Sequence, residues 1–502
     1  MEEVKRYGIF EKTFKGETKG NPYTDYEIFG EFKGEHETKK VRGFYDGDGN
    51  YVIRFMPSFE GRYTYRIWGS FSSKATEGSF MVQAAAAGDH GPIKVKDKFH
   101  FAYDDGTPYY CVGTTCYVWE LRDDALIEET FKSLEESGFN KIRFCIFPKH
   151  YVYNLTEPRS YPFEGTPVDN SLITPENFME YDYKTTGNNW DFTRLNPEHF
   201  RHIEKIIGRL RKMGIVADLI VFHPYDRWGF SNMEREAETR YLDYIISRFS
   251  AYSNVWWSMA NEFDILPNRE DSVWSYYGRF FMENDPYDHP RSIHNCLRLF
   301  DHSEDWVTHV SYQREDLYKT AEETDALREK YEKPVVLDEI AYEGNIQCGW
   351  GNISGEEMVR RFWEGAMRGG YPGHGETFLS DDNILWWSHG GKLKGESWKR
   401  VKFLLRVLSE TPGLGLKRVK AEWDCVTAVP ENDGVAADTG YRIDYYSFMR
   451  PSFRDFDVKD EKVKVEVIDT WNMTIKDMGE HIGKFRIDLP GREYMAIRFR
   501  KI

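Results

Sequence analysis

The sequence VWWSMANE at residues 255–262 is a short apolar run that ends in a carboxylate, Glu262. The sequence PVVLDE at 334–339 repeats the pattern and ends in Glu339. An apolar run of this length is typical of a buried strand in a parallel sheet, and a polar residue directly after it lies at the C-terminal tip of that strand. We therefore predict that the two glutamates lie at the tips of two strands and face one common opening.

Between about residues 95 and 410, strand-like and helix-like segments alternate, which predicts an α/β fold, a (β/α)8 TIM barrel. The first seven predicted barrel strands are 109–114, 141–146, 215–222, 255–260, 292–296, 307–311 and 334–338. Strand eight is either 371–378, which we favour, or 384–387. The predicted helices include 124–137, 197–213, 355–369 and 396–408.

Both ends of the chain contain short alternating segments separated by turn residues, the pattern of a β-sandwich. The first region includes RYTYRIW at 62–68, and the last includes KVKVEVID at 462–469. We predict three domains: an N-terminal, immunoglobulin-like β-sandwich at 1–88, the barrel at 89–412 and a C-terminal β-sandwich at 413–502.

The composition argues against several classes of partner. The chain has 67 Lys and Arg against 83 Asp and Glu, a net charge of −16, which disfavours nucleic acid and anionic membranes as partners. No apolar run approaches the length of a membrane span, and the first residues, MEEVKRY, lack the apolar core of a signal peptide. The six cysteines are scattered, as in a reducing compartment. We expect a cytoplasmic protein whose oligomeric state is open, a homo-oligomer included.

Two carboxylates at one barrel opening are the pair that breaks a glycosidic bond. One must deliver a proton to the leaving oxygen, so partial burial should raise its pKa, and Glu262 fits this role. The other attacks the anomeric carbon and must stay ionised, which fits Glu339. In a retaining enzyme the two carboxyl groups lie about 5–5.5 Å apart. The neighbouring Asn261 is placed to bind a sugar hydroxyl.

The motif WSMANE at 257–262 resembles the acid/base motif of the clan-A retaining glycoside hydrolases. Over essentially its whole length, the chain is similar to a bacterial group related to family 5 and to the apiosidase-like barrels. The stretches that carry this resemblance are GFYDGDG at 43–49, RFMP at 54–57, FTRLNP at 192–197, ILWWS at 384–388, VIDTWN at 467–472 and LPGR at 489–492. The resemblance implies that Asn261-Glu262 follows strand four, with Glu262 as the acid/base. It also implies that Glu339 follows strand seven and is the nucleophile.

The same resemblance assigns two further residues to the nucleophile. Arg143, near the tip of strand two, matches an arginine that supports it, and Tyr312, after strand six, matches a tyrosine that donates a hydrogen bond to it. His223 ends strand three, where a histidine usually lines a sugar-binding subsite.

Four residues near strand eight are candidates for sugar binding. Trp386 and Trp387 predict an aromatic platform, although alternation places one of the two in the core and the sequence does not show which. His374 and Glu376 are polar groups on the favoured strand eight, and we expect them to bind sugar hydroxyls.

The sequence thus predicts a retaining β-glycosidase with an oligosaccharide or glycoside substrate, no cofactor and no metal site. The expected cytoplasmic location and the long, aromatic-rich loop at 148–195 favour exo action on short substrates. The alternatives are an endo-acting or transglycosylating enzyme, or a carbohydrate-binding protein whose barrel has lost catalysis.

Overall fold

A parallel sheet of eight strands, coiled into a barrel, forms the centre of the molecule. The structure is a computed structural model that describes residues 2–71, 74–182, 187–313, 319, 321–421 and 424–502. The eight barrel strands are, in chain order, Gly113–Thr115, Lys141–Cys145, Val216–Phe222, Val255–Ala260, Arg291–Ser292, Val310–Gln313, Val335–Glu339 and Tyr371–His374. The predicted fold class, a TIM barrel with flanking β-sandwiches, is confirmed.

Strands one, five, six and eight differ from their predicted bounds. Strands five and six are Arg291–Ser292 and Val310–Gln313 instead of 292–296 and 307–311. Strand one begins at Gly113 because Pro108–Tyr109 pairs instead with His100–Tyr103. Those segments and Ile93–Lys96 form a small antiparallel sheet that packs against the N-terminal ends of the barrel strands. Strand eight lies in the favoured segment but is shortened to Tyr371–His374, whereas Trp386–His389 is a short helix.

Strands five and six close the barrel without a regular ladder. Ladders run continuously from strand five through strands four, three, two, one, eight and seven to strand six. Between strands five and six, the Thr308 amide donates to the Arg291 carbonyl at 2.9 Å, and the Ser292 hydroxyl donates to the His309 carbonyl. These contacts bring the C-terminal ends of all eight strands to one opening.

Long helices surround the barrel and alternate with its strands. Their bounds are Asp124–Glu136, Pro197–Lys212, Arg235–Phe249, Asp271–Asn284, Thr324–Tyr331, Gly355–Met367 and Ser397–Ser409. In the part of the chain that the structure describes, strand five is the one barrel strand that no such helix follows. None of the described helices has the length and apolarity that crossing a membrane requires.

Helix Pro197–Lys212 shows how the sequence sets these elements. The Asn196 side chain accepts from the Glu198 amide at 3.1 Å, and proline occupies the first helical turn, so the helix is capped at its start. Gly214, with φ of 72°, reverses the chain into strand three. One helix face is apolar at helical spacing and buried: Phe200, Ile203, Ile207 and Leu210.

The N-terminal region is a sandwich of two sheets. The larger sheet has the order Glu2–Lys5, Thr76–Gln83, Gly61–Gly69, Ile28–Lys33 and Thr38–Arg42, and the smaller has the order Phe10–Lys15, Asn50–Phe55 and Phe44–Tyr45. Aromatic rings fill the space between them: Phe32 stacks on Phe55 at 4.4 Å, and Phe10 stacks on Phe80 at 4.2 Å between ring centroids.

The C-terminal region also consists of β-strands. Its main sheet has the order Leu416–Ala421, Val426–Asn432, Tyr441–Tyr445, Met495–Lys501, Val463–Asp469 and Thr474–His481, with Val435–Ala436 paired to the second of these strands. A second pair, Phe453–Asp457 and Lys484–Asp488, packs on it through an apolar core that includes Val465, Ile487 and Ile497.

A buried network of charges joins the N-terminal sandwich to the barrel. Arg54 of the sandwich contacts the Glu204 carboxylate and donates to the Arg248 carbonyl at 2.9 Å. Arg248 donates to Glu204 at 2.9 Å and to Asp46 of the sandwich at 2.7 Å. Arg54, Glu204 and Arg248 are all buried. Glu204 therefore neutralises two buried guanidinium groups that reach it from different domains.

We expect Glu204→Ala to lower the free energy of unfolding by about 3–5 kcal/mol, because it leaves two buried positive charges without their shared partner. Urea denaturation followed by fluorescence measures the change. The control is Glu11→Ala, which removes another carboxylate 2.7 Å from Arg54, but one whose side chain is 46% exposed. That substitution should cost at most about 1 kcal/mol. Equal losses in the two variants would contradict the anchoring role of Glu204.

Candidate active site

The two glutamates picked out by the sequence lie at the tips of strands four and seven. Glu262 lies two positions after the end of Val255–Ala260, and Glu339 is the last residue of Val335–Glu339. The backbone of Glu262 is left-handed, with φ of 51° and ψ of 54°, which costs on the order of 1–3 kcal/mol for a residue with a side chain. Hydrogen bonds from the flanking amides of Asn261 and Phe263, at 2.9 and 3.0 Å, hold this turn in place.

Two hydrogen-bond donors and one imidazole nitrogen converge on one oxygen of Glu339. The Tyr117 hydroxyl donates to Oε1, Nη1 of Arg143 lies 3.0 Å from it, and Nε2 of His294 lies 3.3 Å from it. Arg143 also donates from Nη2 to Oδ1 of Asn261 at 2.7 Å. The guanidinium therefore fixes the nucleophile candidate relative to the residue that precedes Glu262.

Glu262 is held by neutral donors. Gln313 donates from Nε2 to Oε1 at 2.8 Å, and the Tyr225 hydroxyl donates to Oε2. Neutral donors stabilise a carboxylate less than a guanidinium does, so this environment leaves Glu262 able to carry a proton.

Both carboxyl groups line one cavity of about 480 Å³. Half of the other residues that line it are aromatic: Tyr117, Tyr151, Tyr225, Tyr342, Trp350 and Trp387. Aromatic walls with a few polar groups at one point suit a sugar, whose C–H faces pack on rings while its hydroxyls bind polar groups.

Lys149 is buried among these aromatic rings. Its Nζ lies 3.4 Å from the ring centroid of Tyr117, 4.1 Å from that of Tyr225 and 4.5 Å from that of Trp387. Burial lowers the pKa of Lys149 to about 8, while the two cavity glutamates favour its charged form. The ammonium thus lies between the two tyrosines that hold Glu262 and Glu339.

A chain of polar contacts beneath the cavity orients His294. Its Nδ1 lies 3.0 Å from Oγ of Ser311, and that hydroxyl donates to Asp338 at 2.5 Å. Lys141 in turn donates to Asp338 at 2.7 Å and to Asp218 at 2.6 Å. The interior of the barrel thereby fixes the imidazole that approaches Glu339.

Comparison with known proteins assigns this barrel to a family. A family model described as the apiosidase-like catalytic domain matches residues 95–402, which is more than half of the chain. The chain belongs to the apiosidase-like family. It is a glycoside hydrolase, as the sequence predicts.

Solved structures are similar to this chain beyond the barrel, over the flanking sheets as well. A protein from Bacteroides vulgatus ATCC 8482, described provisionally as a glycoside hydrolase, is 36% identical over 100% of both chains, with a TM-score of 0.90. A family 5 glycoside hydrolase from the same organism shares the fold at 13% identity, a TM-score of 0.61, and coverage of 82% of this chain and 94% of that one. No curated protein matches the chain.

The flanks of the apiosidase-like enzyme match two further family models. Residues 3–69 match a domain of unknown function, DUF5060, and residues 423–500 match another, DUF5605. Neither match assigns an activity to the flanks.

The pKa values of Glu262 and Glu339 are shifted in opposite directions. Burial raises the pKa of Glu262, and the charge of Glu339 raises it further. Burial would also raise the pKa of Glu339, but the combined effect of His294, Arg143 and Tyr117 outweighs it and holds that pKa well below its usual range. The surroundings therefore favour a proton on Glu262 over a proton on Glu339.

The structure places two predicted site residues of the apiosidase-like enzyme outside the cavity. His223 is buried, with Nε2 3.4 Å from the Phe147 carbonyl, and burial lowers its pKa to about 3. Tyr312 packs against the hydrophobic core, while its strand neighbours Ser311 and Gln313 point into the barrel. The predictions that His223 lines a subsite and that Tyr312 donates to Glu339 are corrected, because neither is among the described residues that line the cavity.

Three predicted residues of strand eight and the helix after it also lie outside the cavity of the apiosidase-like enzyme. His374 faces outward, 3.1 Å from Thr114 Oγ1, and Glu376 accepts from the Lys394 and Gly395 amides at 2.8 and 3.0 Å. Trp386 donates to Thr114 at 2.8 Å from within the core. Trp387 lines the cavity, because helix Trp386–His389 turns the two adjacent rings to different sides.

The loop at 148–195 forms less of the cavity wall of the apiosidase-like enzyme than its aromatic content suggests. Tyr151 lines the cavity. Part of the rest folds into a hairpin, Phe163–Thr166 with Asn189–Leu195. Trp190 of this hairpin packs on Phe230, and the preceding Tyr161 packs on Trp228. Trp350, from the segment after strand seven, provides cavity wall that we expected from this loop.

Five residues around the glutamates of the apiosidase-like enzyme were missed by sequence reasoning: Tyr117, Lys149, Tyr225, His294 and Gln313. Each is the last residue of a barrel strand or lies within four residues after the end of one. Position after a strand tip was the signal that identified Glu262 and Glu339. Applied to every polar residue in such positions, it would have included these five.

Proposed function

We propose that this glycoside hydrolase is a retaining enzyme for β-linked sugars, with Glu339 as nucleophile and Glu262 as acid/base. The observation that supports it most is the pair of carboxyl groups in one cavity whose pKa values move apart. A double displacement needs an ionised attacking carboxylate and a protonated carboxylic acid at the same time.

The first step uses the charges as they stand in the free enzyme. Glu339 attacks the anomeric carbon while Glu262 gives its proton to the leaving oxygen, which forms a glycosyl ester on Glu339. The ester carries no charge, so the repulsion that raises the pKa of Glu262 is removed. Glu262 is then a better base, and it takes a proton from the water that hydrolyses the ester.

Asn261 supports the sugar in this proposal. Its Oδ1 is occupied by Arg143, whereas its buried Nδ2 has no hydrogen-bond partner among the described residues. A buried amide without a partner is costly, so a substrate hydroxyl that pairs with it gains binding energy. We assign this donor to the hydroxyl next to the anomeric carbon, where contacts strengthen in the transition state.

The cavity favours exo action. Its volume of about 480 Å³ lies in the lower half of the range typical of small-molecule pockets, about 300–1,000 Å³. Tyr151, Trp350 and Trp387 lie close enough for ring contacts and form a continuous aromatic wall. Such a wall suits the end of a sugar chain, and an endo-acting enzyme would need an open groove on both sides.

A panel of aryl β-glycosides tests the proposal against its rivals. We expect hydrolysis of at least one member, and from an oligosaccharide we expect monosaccharides in the first minutes. Early release of mid-length fragments would favour endo action. Binding of sugars by calorimetry without any hydrolysis would favour a carbohydrate-binding protein that has lost catalysis.

Lys149→Met should move the alkaline limb of the kcat/KM profile to higher pH. The charged Lys149 lowers the pKa of Glu262, so its removal raises that pKa, and the acid form of Glu262 persists further into the alkaline range. The measurement is kcat/KM from pH 4 to pH 10 on the best aryl glycoside. Lys399→Met, at an exposed lysine, is the control and should leave the profile unchanged. A shift of the limb to lower pH would contradict this assignment of Lys149.

A further inference from the structure

Three buried side chains converge on one point behind the cavity wall: Glu343, His374 and Glu376. Nε2 of His374 and one carboxylate oxygen of each glutamate all lie within 4.8 Å of one another. The three residues are 4%, 0% and 1% exposed. The glycosidase mechanism uses none of them, and two carboxylates with an imidazole are ligands of divalent transition metals.

The two glutamates are held by donors that leave one oxygen free. Glu343 accepts from the Glu396 amide at 2.9 Å, the Ser397 amide at 3.0 Å and the Ser397 hydroxyl at 2.5 Å. Glu376 accepts through Oε2 from the amides of Lys394 and Gly395. Its Oε1 is buried and, among the residues the structure describes, has no hydrogen-bond partner. A buried carboxylate oxygen without a partner carries a large desolvation cost.

His374 presents a free ring nitrogen to that oxygen. Nε2 has no hydrogen-bond partner in the described part of the chain, and it lies 3.8 Å from Oε1 of Glu376. The other ring nitrogen, Nδ1, is held at 3.1 Å by the Thr114 hydroxyl, which fixes the ring. A neutral ring held through one nitrogen is the state in which histidine ligates a metal.

Gly395 shows that the two carboxylates face the same small space. A Cβ placed on this residue would lie 2.4 Å from Oε2 of Glu343 and 2.8 Å from Oε1 of Glu376. Both carboxylates are buried, so their desolvation and their mutual repulsion each carry a cost. A divalent cation between the two oxygens would offset both costs. Atoms at about 2.0–2.2 Å from one ion lie within about 4.4 Å of each other, so small side-chain movements suffice.

We propose that Glu343, His374 and Glu376 bind one divalent transition-metal ion of the Zn²⁺ or Mn²⁺ type as a structural site. The site joins the paired strands Glu343–Gly344 and Glu376–Thr377 to the start of helix Ser397–Ser409. The first of these strands belongs to the segment that carries Tyr342 and Trp350 into the cavity. The ion would hold this segment in place, and the role of the site does not depend on Glu262 or Glu339.

Metal content and thermal stability test the site without any activity measurement. Protein from cells supplied with Zn²⁺ and Mn²⁺, purified without nickel chromatography, should hold about one ion per chain by mass spectrometry of the metals. Removal of the ion with a chelator should lower the apparent Tm by about 3 °C or more, and Zn²⁺ or Mn²⁺, but not Mg²⁺, should restore it. Wild-type protein with no bound metal and no change of Tm on adding either ion would overturn the proposal.

Substitutions locate the ion. Glu376→Gln and His374→Gln should each lose the metal and the response of Tm to Zn²⁺ or Mn²⁺. Glu396→Gln, whose exposed side chain lies next to the site, should keep both. Full metal content in the Glu376→Gln and His374→Gln proteins would place the ion elsewhere and overturn the assignment. If a variant does not fold, addition of metal to the stripped wild-type protein still decides the matter.

Discussion

Glu339→Gln is expected to lower kcat/KM on the best aryl β-glycoside by about 10⁵-fold or more. The amide cannot form the glycosyl ester, so the double displacement loses its first step. The polar groups around this residue, on Tyr117, Arg143 and His294, remain in place, and the cavity should keep its shape. Initial rates, with sugar binding followed by calorimetry, separate lost chemistry from lost binding.

A covalent trap identifies the nucleophile directly. A 2-deoxy-2-fluoro glycoside with a good leaving group slows the second step, so the wild-type protein should accumulate an ester on the peptide that contains Glu339. The Glu339→Gln protein serves as the control and should remain unlabelled. Labelling of Glu262, or of any other carboxylate, would contradict the assigned roles.

Glu262→Ala should separate substrates by their leaving groups. Substrates with poor leaving groups need the proton and should lose about 10²–10⁴-fold in kcat/KM, whereas activated aryl glycosides should form the ester at near wild-type rates. The space left by the side chain admits azide, which needs no base, so azide should restore turnover and yield a β-glycosyl azide. The measurement is kcat/KM across leaving groups of graded acidity, with and without azide.

The matched control for this variant is Gln313→Ala. It removes a hydrogen bond to Glu262 at 2.8 Å but keeps the carboxyl group, so azide should have no effect on it. Equal losses for good and poor leaving groups in Glu262→Ala, without azide rescue, would show that Glu262 is not the acid/base.

The barrel and its two glutamates were predictable because their signal is local. Short apolar runs predict buried parallel strands, and the residue after such a run must lie at the end where the strands open. The positions of Glu262 and Glu339 at strand tips follow from the residues next to them and do not depend on the rest of the chain. The flanking sheets were predictable for a similar reason, since alternation and turn residues are read within a few positions.

The wrong assignment of Tyr312 came from a small error of register. The predicted strand six ended at Ser311, which made Tyr312 the first residue after the tip. The strand runs instead over Val310–Gln313, with a register shift against strand seven between Ser311 and Gln313. Successive strand residues point to opposite faces, so the position that reaches Glu262 is taken by Gln313.

Tyr117 and Trp387 show what short sequence patterns leave open. Strand one was predicted to end at 114 but spans Gly113–Thr115, so Tyr117 follows its tip and reaches Glu339 on strand seven, across strand eight. Trp386 and Trp387 are adjacent in sequence, and their separation into core and cavity follows from a short helix that the alternation pattern does not indicate. Contacts between distant parts of the chain depend on how the barrel closes, and short sequence patterns do not show this.

The stereochemistry of the first product tests the central claim most directly. Proton NMR can follow hydrolysis of the best aryl β-glycoside in D₂O within the first minutes, before the free sugar equilibrates between its anomers. The proposed double displacement through Glu339 predicts that the β-anomer appears first, because two inversions restore the starting configuration. Initial appearance of the α-anomer would show a single displacement by water and would contradict the roles proposed for Glu339 and Glu262.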